Sequence, residues 1–249
     1  MHCACFRELL KRIVRLVFVA AIITEALSAC AIPAEQREER AKAALEKKYG
    51  REFEITEVYP QRFSKNYYEV QAYEIHEPNI RFFASVNTQD DGESDDYVTV
   101  RVCAAISAQS EENLDMTPGI YFVHTYAPGP QPHCEDPDIS IRDFAALDPL
   151  NVFRIEVYLI PDEDASPQEL YNGLSALLKE MESLPTSVWL RLVNEDQFRM
   201  AQELLTEVEP MSMEYQAFKE GLHNVALTFR QGTMQTTLSE FTAAIRSGA

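Results

Sequence analysis

Apolar and polar positions along the chain change period several times, and each change marks an element. Residues 16–23 (LVFVAAII) are apolar without a break. Residues 34–48 (AEQREERAKAALEKK) favour helix through their Ala, Glu, Lys and Arg content. A thin face runs through Ala41, Ala44, Leu45 and Lys48, and Gly50 is a suitable stop. Three stretches then carry strand signals: 52–59, 66–75 and 79–86, with Phe53, Ile55, Tyr67, Tyr68, Val70, Ile80, Phe82 and Phe83 among their apolar positions. Pro60 and the run His76-Glu77-Pro78-Asn79 punctuate them, so a three-stranded antiparallel meander is the economical arrangement. An acidic loop, 90–96, follows. From Tyr97 two periods compete. Val98, Val100 and Val102 alternate as in a strand, whereas Val98, Val102, Ala105, Ile106 and Gln109 recur at helical spacing. Ser94, Asp95 and Asp96 make an acidic helix start, so helix to Asn113 is expected. Residues 120–126 (IYFVHTY) read as a strand.

Residues 127–149 hold Pro128, Pro130, Pro132, Pro137 and Pro149 with few periodic apolar positions, which predicts a linker. Beyond it, 152–160 (VFRIEVYLI) reads as a well-buried strand. Ser166-Pro167-Gln168-Glu169 reads as a capping box with Pro at the first helical position. Leu170, Leu174, Leu177, Leu178 and Met181 then follow at helical spacing. A strand at 187–193, a helix at 196–207, a strand at 222–229 and a helix at 237–246 complete the chain. The expected fold class is α+β, with two small lobes built on mixed sheets: an antiparallel meander in the first and β-α-β units in the second. The expected division is 1–29 signal segment, 30–126 first lobe, 127–149 linker and 150–249 second lobe.

Charge changes this picture. The chain has 22 basic and 40 acidic side chains and a formal charge of −18. Residues 1–29 hold four of the basic and two of the acidic groups, so the remainder carries about −20. Such a surface argues against nucleic acid as a partner and against electrostatic adhesion to an anionic bilayer. A soluble, self-repelling surface alone would also explain it.

The first thirty residues carry the strongest motif. Arg7, Lys11, Arg12 and Arg15 precede the apolar run, and Leu27, Ser28 and Ala29 lead into Cys30. A basic start, an apolar middle and small residues at a cleavage point make an export signal. Eight unbroken apolar residues are too few for a spanning helix, which needs roughly 20. Leu27-Ser28-Ala29-Cys30 resembles the lipobox of bacterial lipoproteins position by position, while Glu25 departs from the apolar pattern. The resemblance implies a diacylglyceryl thioether on Cys30, cleavage after Ala29, and a protein held by lipid on the extracytoplasmic face of the cell membrane. A plain secretory site at Ala29-Cys30-Ala31 and an N-terminal amphipathic helix are the competing readings. A shorter likeness lies downstream. Lys48-Tyr49-Gly50, Phe53 with Ile55, and Asp95-Asp96-Tyr97 resemble small lipoproteins of Gram-positive bacteria, a group that implies no activity.

Candidate chemistry is sparse. Cys3 and Cys5 precede the apolar run and Cys30 would carry lipid, so Cys103 and Cys134 are left to form one disulfide or to remain separate thiols. His124, His133 and Cys134 near the Pro-rich stretch, and Asp90 and Asp91 in the acidic loop, are weak metal candidates. Their spacing matches neither a zinc motif nor a calcium loop, so no metal or other cofactor is expected. No nucleophile elbow, P-loop or dinucleotide fingerprint occurs. Tyr67, Tyr73, Phe82 and Phe83 are candidates for a binding face or for core. The expectation is therefore a lipid-anchored, non-catalytic binding or accessory protein with a protein partner at the envelope. The alternatives are an envelope hydrolase using carboxylate chemistry and a small solute-binding lipoprotein.

Overall fold

The computed structural model describes residues 32–59, 66–88, 92–114, 117–129, 132–148, 152–180, 184, 186–207, 213–227, 229–230 and 233–247. The chain is α+β with two four-stranded sheets. It divides into two compact units: the first runs to Ile75 and includes Phe83–Asp95, and the second takes His76–Phe82 and everything from Asp96 onward.

The first unit opens with helix α1 (Ala34–Tyr49), followed by strands β1 (Phe53–Val58), β2 (Tyr67–Glu74), β3 (Arg81–Asn87) and β4 (Glu93–Asp95). The sheet order is β1-β2-β3-β4, and it is antiparallel rather than mixed. The expected meander gains a fourth strand, because Glu93, Ser94 and Asp95, taken from sequence as loop, pair with Val86, Ser85 and Ala84. Helix α1 buries Ala41 and Leu45, and β2 alternates strictly, with Tyr68, Val70 and Ala72 inward. That alternation is the period-2 signature of a strand with one covered face. Gly50 ends α1 at φ 64, a left-handed position that lets its N–H reach the Glu46 carbonyl at 2.8 Å.

The second unit holds α2 (Tyr97–Leu114), β5 (Gly119–Tyr126), α3 (Ile141–Leu147), β6 (Phe153–Pro161), α4 (Pro167–Glu180), β7 (Thr186–Leu192), α5 (Glu195–Glu207), α6 (Met213–Glu220), β8 (His223–Leu227), a short pair β9 (Phe229–Arg230) and β10 (Thr233–Met234), and α7 (Leu238–Ser247). The helical alternative for the stretch after Tyr97 is the one that forms. Its sheet runs β5-β6-β7-β8, with β6 and β7 parallel and the outer pairs antiparallel. One β-α-β crossover (β6-α4-β7) is present; β8 returns antiparallel through α5 and α6, so a second such unit does not form.

The lobe boundaries expected at 126 and 150 are corrected. Strand β5 pairs with β6 along its whole length, from Gly119 opposite Pro161 to Tyr126 opposite Arg154. Residues 127–149 therefore connect two strands of one sheet and do not link two lobes. Helix α3 interrupts this segment, capped by the Ser140 hydroxyl on the Asp143 N–H. Arg101 of α2 steadies it further, donating to the Pro137 carbonyl at 3.2 Å and pairing with Glu77.

Strand β6 is buried on both faces, as a central strand covered by helices should be. Phe153, Ile155, Val157 and Leu159 form its apolar face together with Val188, Leu190, Val225, Leu227 and Val123 of the neighbouring strands. Three helices begin with reciprocal capping boxes: Ser166 with Glu169, Asn194 with Gln197, and Thr237 with Glu240. Sequence reading found only the first.

Candidate functional site

The opposite face of β6 is where the second unit departs from an ordinary core. Arg154, Glu156 and Tyr158 alternate along it, two residues apart, and so point the same way. The register places Tyr126, His124 and Phe122 of β5 directly across on one side, and Ser187, Trp189 and Arg191 of β7 on the other. This makes a polar stripe across three strands. At its apolar end Phe122 stacks on Tyr158 at 4.6 Å, and α5 and α6 cover it with Phe198, Ala201, Leu205 and Phe218.

Glu156 is the hub, with its side chain fully buried. Its Oε1 accepts from Arg191 Nη2 at 2.8 Å and lies 2.7 Å from Lys219 Nζ, which α6 supplies. The Tyr158 hydroxyl donates to Oε2 at 2.9 Å. The Tyr126 hydroxyl stands 3.4 Å from Oε1 and receives hydrogen bonds from Lys219 Nζ at 3.3 Å and Arg154 Nη1 at 3.1 Å. A carboxylate taken out of water needs such partners on both oxygens to offset its desolvation. Here they come from β5, β6, β7 and α6.

His124 packs against Tyr126 at 5.7 Å between ring centroids. Burial pushes its imidazole down to about 4; nearby Lys219 adds to this, and the Glu156 charge opposes it. His124 is therefore neutral at pH 7, and its Nε2 is buried without a hydrogen-bond partner. Arg154 is half-buried. Its guanidinium lies 5.6 Å from the Tyr126 ring centroid and 6.0 Å from that of Trp189, and its Nε has no acceptor. Trp189 also has Arg191 at 5.9 Å. The stripe can hold a negatively charged group. Its own carboxylate is engaged by fixed donors, an arrangement that orients and neutralises it.

The residues singled out from sequence are scattered. Leu27, Ser28, Ala29, Cys30, Asp90 and Asp91 lie outside the described residues. Cys103 and Cys134 are separate free thiols, contrary to the disulfide alternative. Cys103 faces the interior from α2, where burial chiefly raises its thiol to about 12, and the half-buried Cys134 lies against the Asp136 carbonyl in the loop. His124 belongs to the stripe, whereas His133 is exposed beside Glu135 at 3.3 Å. Among the described residues no three His, Cys, Asp or Glu side chains gather as a metal site. Of the candidate aromatic face, Phe82 is core, 4.8 Å from Tyr97, while Tyr67, Tyr73 and Phe83 are half-buried.

Sequence reading missed Glu156, Arg154, Arg191 and Lys219. The first three had a readable signal, as charges inside otherwise apolar strands (VFRIEVYLI and SVWLRLV). Lys219 had none, since α6 itself was not foreseen.

Comparison with known proteins defines a fold and nothing finer. No family model and no curated protein matches the chain. A crystal structure of a DUF5037 family protein from Ruminococcus gnavus is similar, with a TM-score of 0.62 at 15% identity, covering 84% of this chain and 98% of that one. The two proteins share the two-sheet α+β architecture.

Proposed function

We propose that this chain is a lipid-anchored protein of the extracytoplasmic face of the cell membrane that binds a partner or ligand without catalysing a reaction. The observation that carries the non-catalytic part is the state of Glu156. Hydrolysis by carboxylate chemistry requires a carboxyl group available to a substrate. Glu156 instead has one oxygen held by Arg191 and Lys219 and the other by the Tyr158 hydroxyl. Support for the address is the Leu27-Ser28-Ala29-Cys30 pattern, together with the start of α1 at Ala34, which leaves only residues 31–33 as a tether. None of the described helices is long and apolar enough to cross a membrane.

Cell fractionation with and without globomycin, alongside a Cys30→Ser chain, tests the address. The expected result is accumulation of unprocessed precursor in both cases; normal processing in both would sink it. Crosslinking and pull-down from native membranes tests the binding role, with a specific envelope protein expected on the beads. Hydrolytic turnover by the purified protein that disappears in Glu156→Gln would replace the binding role with an enzyme.

A further inference from the structure

Among the charged groups of the stripe, Arg154 is treated unlike the rest. Arg191 and Lys219 are ion-paired to Glu156 at 2.8 and 2.7 Å. Among the described residues Arg154 makes no ion pair with a carboxylate. Its Nη1 is spent on the Tyr126 hydroxyl at 3.1 Å, and its Nε, like that of Arg191, is buried with no hydrogen-bond partner. A buried donor without an acceptor is uncommon in a folded protein, and none of the described residues supplies one here. His124 Nε2, on the neighbouring strand, is also an orphan, on the same sheet face and two residues from Tyr126.

We propose that Arg154, flanked by Tyr126 on one strand and Trp189 on the other, is a binding site for a carboxylate group. The two aromatic side chains hold the guanidinium and limit its hydration. The N–H groups not spent on Tyr126 remain for a planar acceptor, which a carboxylate matches with two parallel hydrogen bonds. Ser187, directly opposite Arg154 in β7, places a hydroxyl on the same face. Glu156 lies two residues along the same strand face and shares the Tyr126 hydroxyl with Arg154, but Arg191 and Lys219 outweigh its charge, so the surroundings of Arg154 favour an anion. The site rests on this sheet face alone, so a failure of the Cys30→Ser test would leave it standing.

Trp189 is the only tryptophan of the chain, so its fluorescence reports on this site without labelling. The purified protein is titrated with sodium acetate at constant ionic strength, with chloride in parallel, while Trp189 emission and the melting temperature are followed. Acetate should give a saturable emission change and a rise in Tm with a midpoint on the order of millimolar. Chloride should give neither. Arg154→Met should weaken acetate binding at least about tenfold. Arg154→Lys keeps the charge but loses the fork, and should weaken it several-fold; it also covers the case in which the Met variant does not fold. No saturable response to acetate, or unchanged affinity in a folded Arg154 variant, would each overturn the assignment.

Discussion

Each unit contains a carboxylate bound by a lysine and a tyrosine, and the two are built differently. In the first unit Asp95 of β4 accepts from Lys48 Nζ at 2.9 Å and from the Tyr49 hydroxyl at 2.7 Å. Its side chain is 1% exposed, but Lys48 is also 3.6 Å from Glu93 and keeps 10% of its surface. Two adjacent residues at the end of one helix thus reach one strand. In the second unit Glu156 is fully buried and its partners come from four separate elements. The first arrangement is a clasp between a helix end and a strand edge. The second organises a whole sheet face. A carboxylate that loses its role at the edge leaves a lysine with another acid nearby. One that is lost at the centre leaves two cations in the interior.

The largest expected effect follows from that difference. Glu156→Ala should lower unfolding free energy by about 3–5 kcal/mol, because it strands Arg191 and Lys219. Asp95→Ala should cost about 1–2 kcal/mol, since Lys48 can turn to Glu93. Urea denaturation of both variants checks the order, and equal losses would erase the distinction.

An intermediate effect is tied to pH. His124 has a folded pKa of about 4 against roughly 6.5 for an unperturbed histidine, so the unfolded chain takes up its proton first as pH falls. The stability contributed by neutral His124 is complete above about pH 6.5 and is lost progressively down to about pH 4, on the order of 3 kcal/mol. The difference in urea midpoint between the wild type and His124→Phe should change across that window. A constant difference would show that His124 titrates normally in the fold.

The smallest effects belong to the helix caps. Hydrogen bonds from Ser166 and Thr237 hold the Glu169 and Glu240 carboxyls below the ordinary carboxylate range. Ser166→Ala and Thr237→Ala should each lower Tm by about 2–4 °C. A loss several times larger at either position would mean that the cap also supports the packing behind it.

The same contrast explains what was legible in the sequence. The residues of the Asp95 clasp stand in two short motifs, Lys48-Tyr49-Gly50 and Asp95-Asp96-Tyr97; only the glycine stop was legible there, and the pairing of the two donors with Asp95 was not. Strands β2, β5, β6 and β7 were readable from period, and α4 from its capping box. The pairing of β5 with β6 was not, because nothing local records which distant strand a segment joins. The proline content of the intervening segment pointed to a linker instead. Short helices such as α3 and α6 fell below what periodicity can resolve. The Thr237–Glu240 and Asn194–Gln197 boxes carried a readable pattern that was passed over. Glu156 illustrates the wider lesson. A charge at alternate positions of an apolar strand looks like a weak spot in one segment, and becomes a hub only once register aligns three strands.

The central claim is that the polar stripe divides into a fixed ion network around Glu156 and one cation, Arg154, that meets it only through the Tyr126 hydroxyl and makes no ion pair with Glu156. Urea denaturation of Arg191→Met and Arg154→Met at pH 7 and matched salt tests this directly. The account predicts a loss of about 3 kcal/mol for Arg191→Met and of less than about 1 kcal/mol for Arg154→Met. Equal losses, or a larger loss for Arg154→Met, would place Arg154 inside the network and contradict the division.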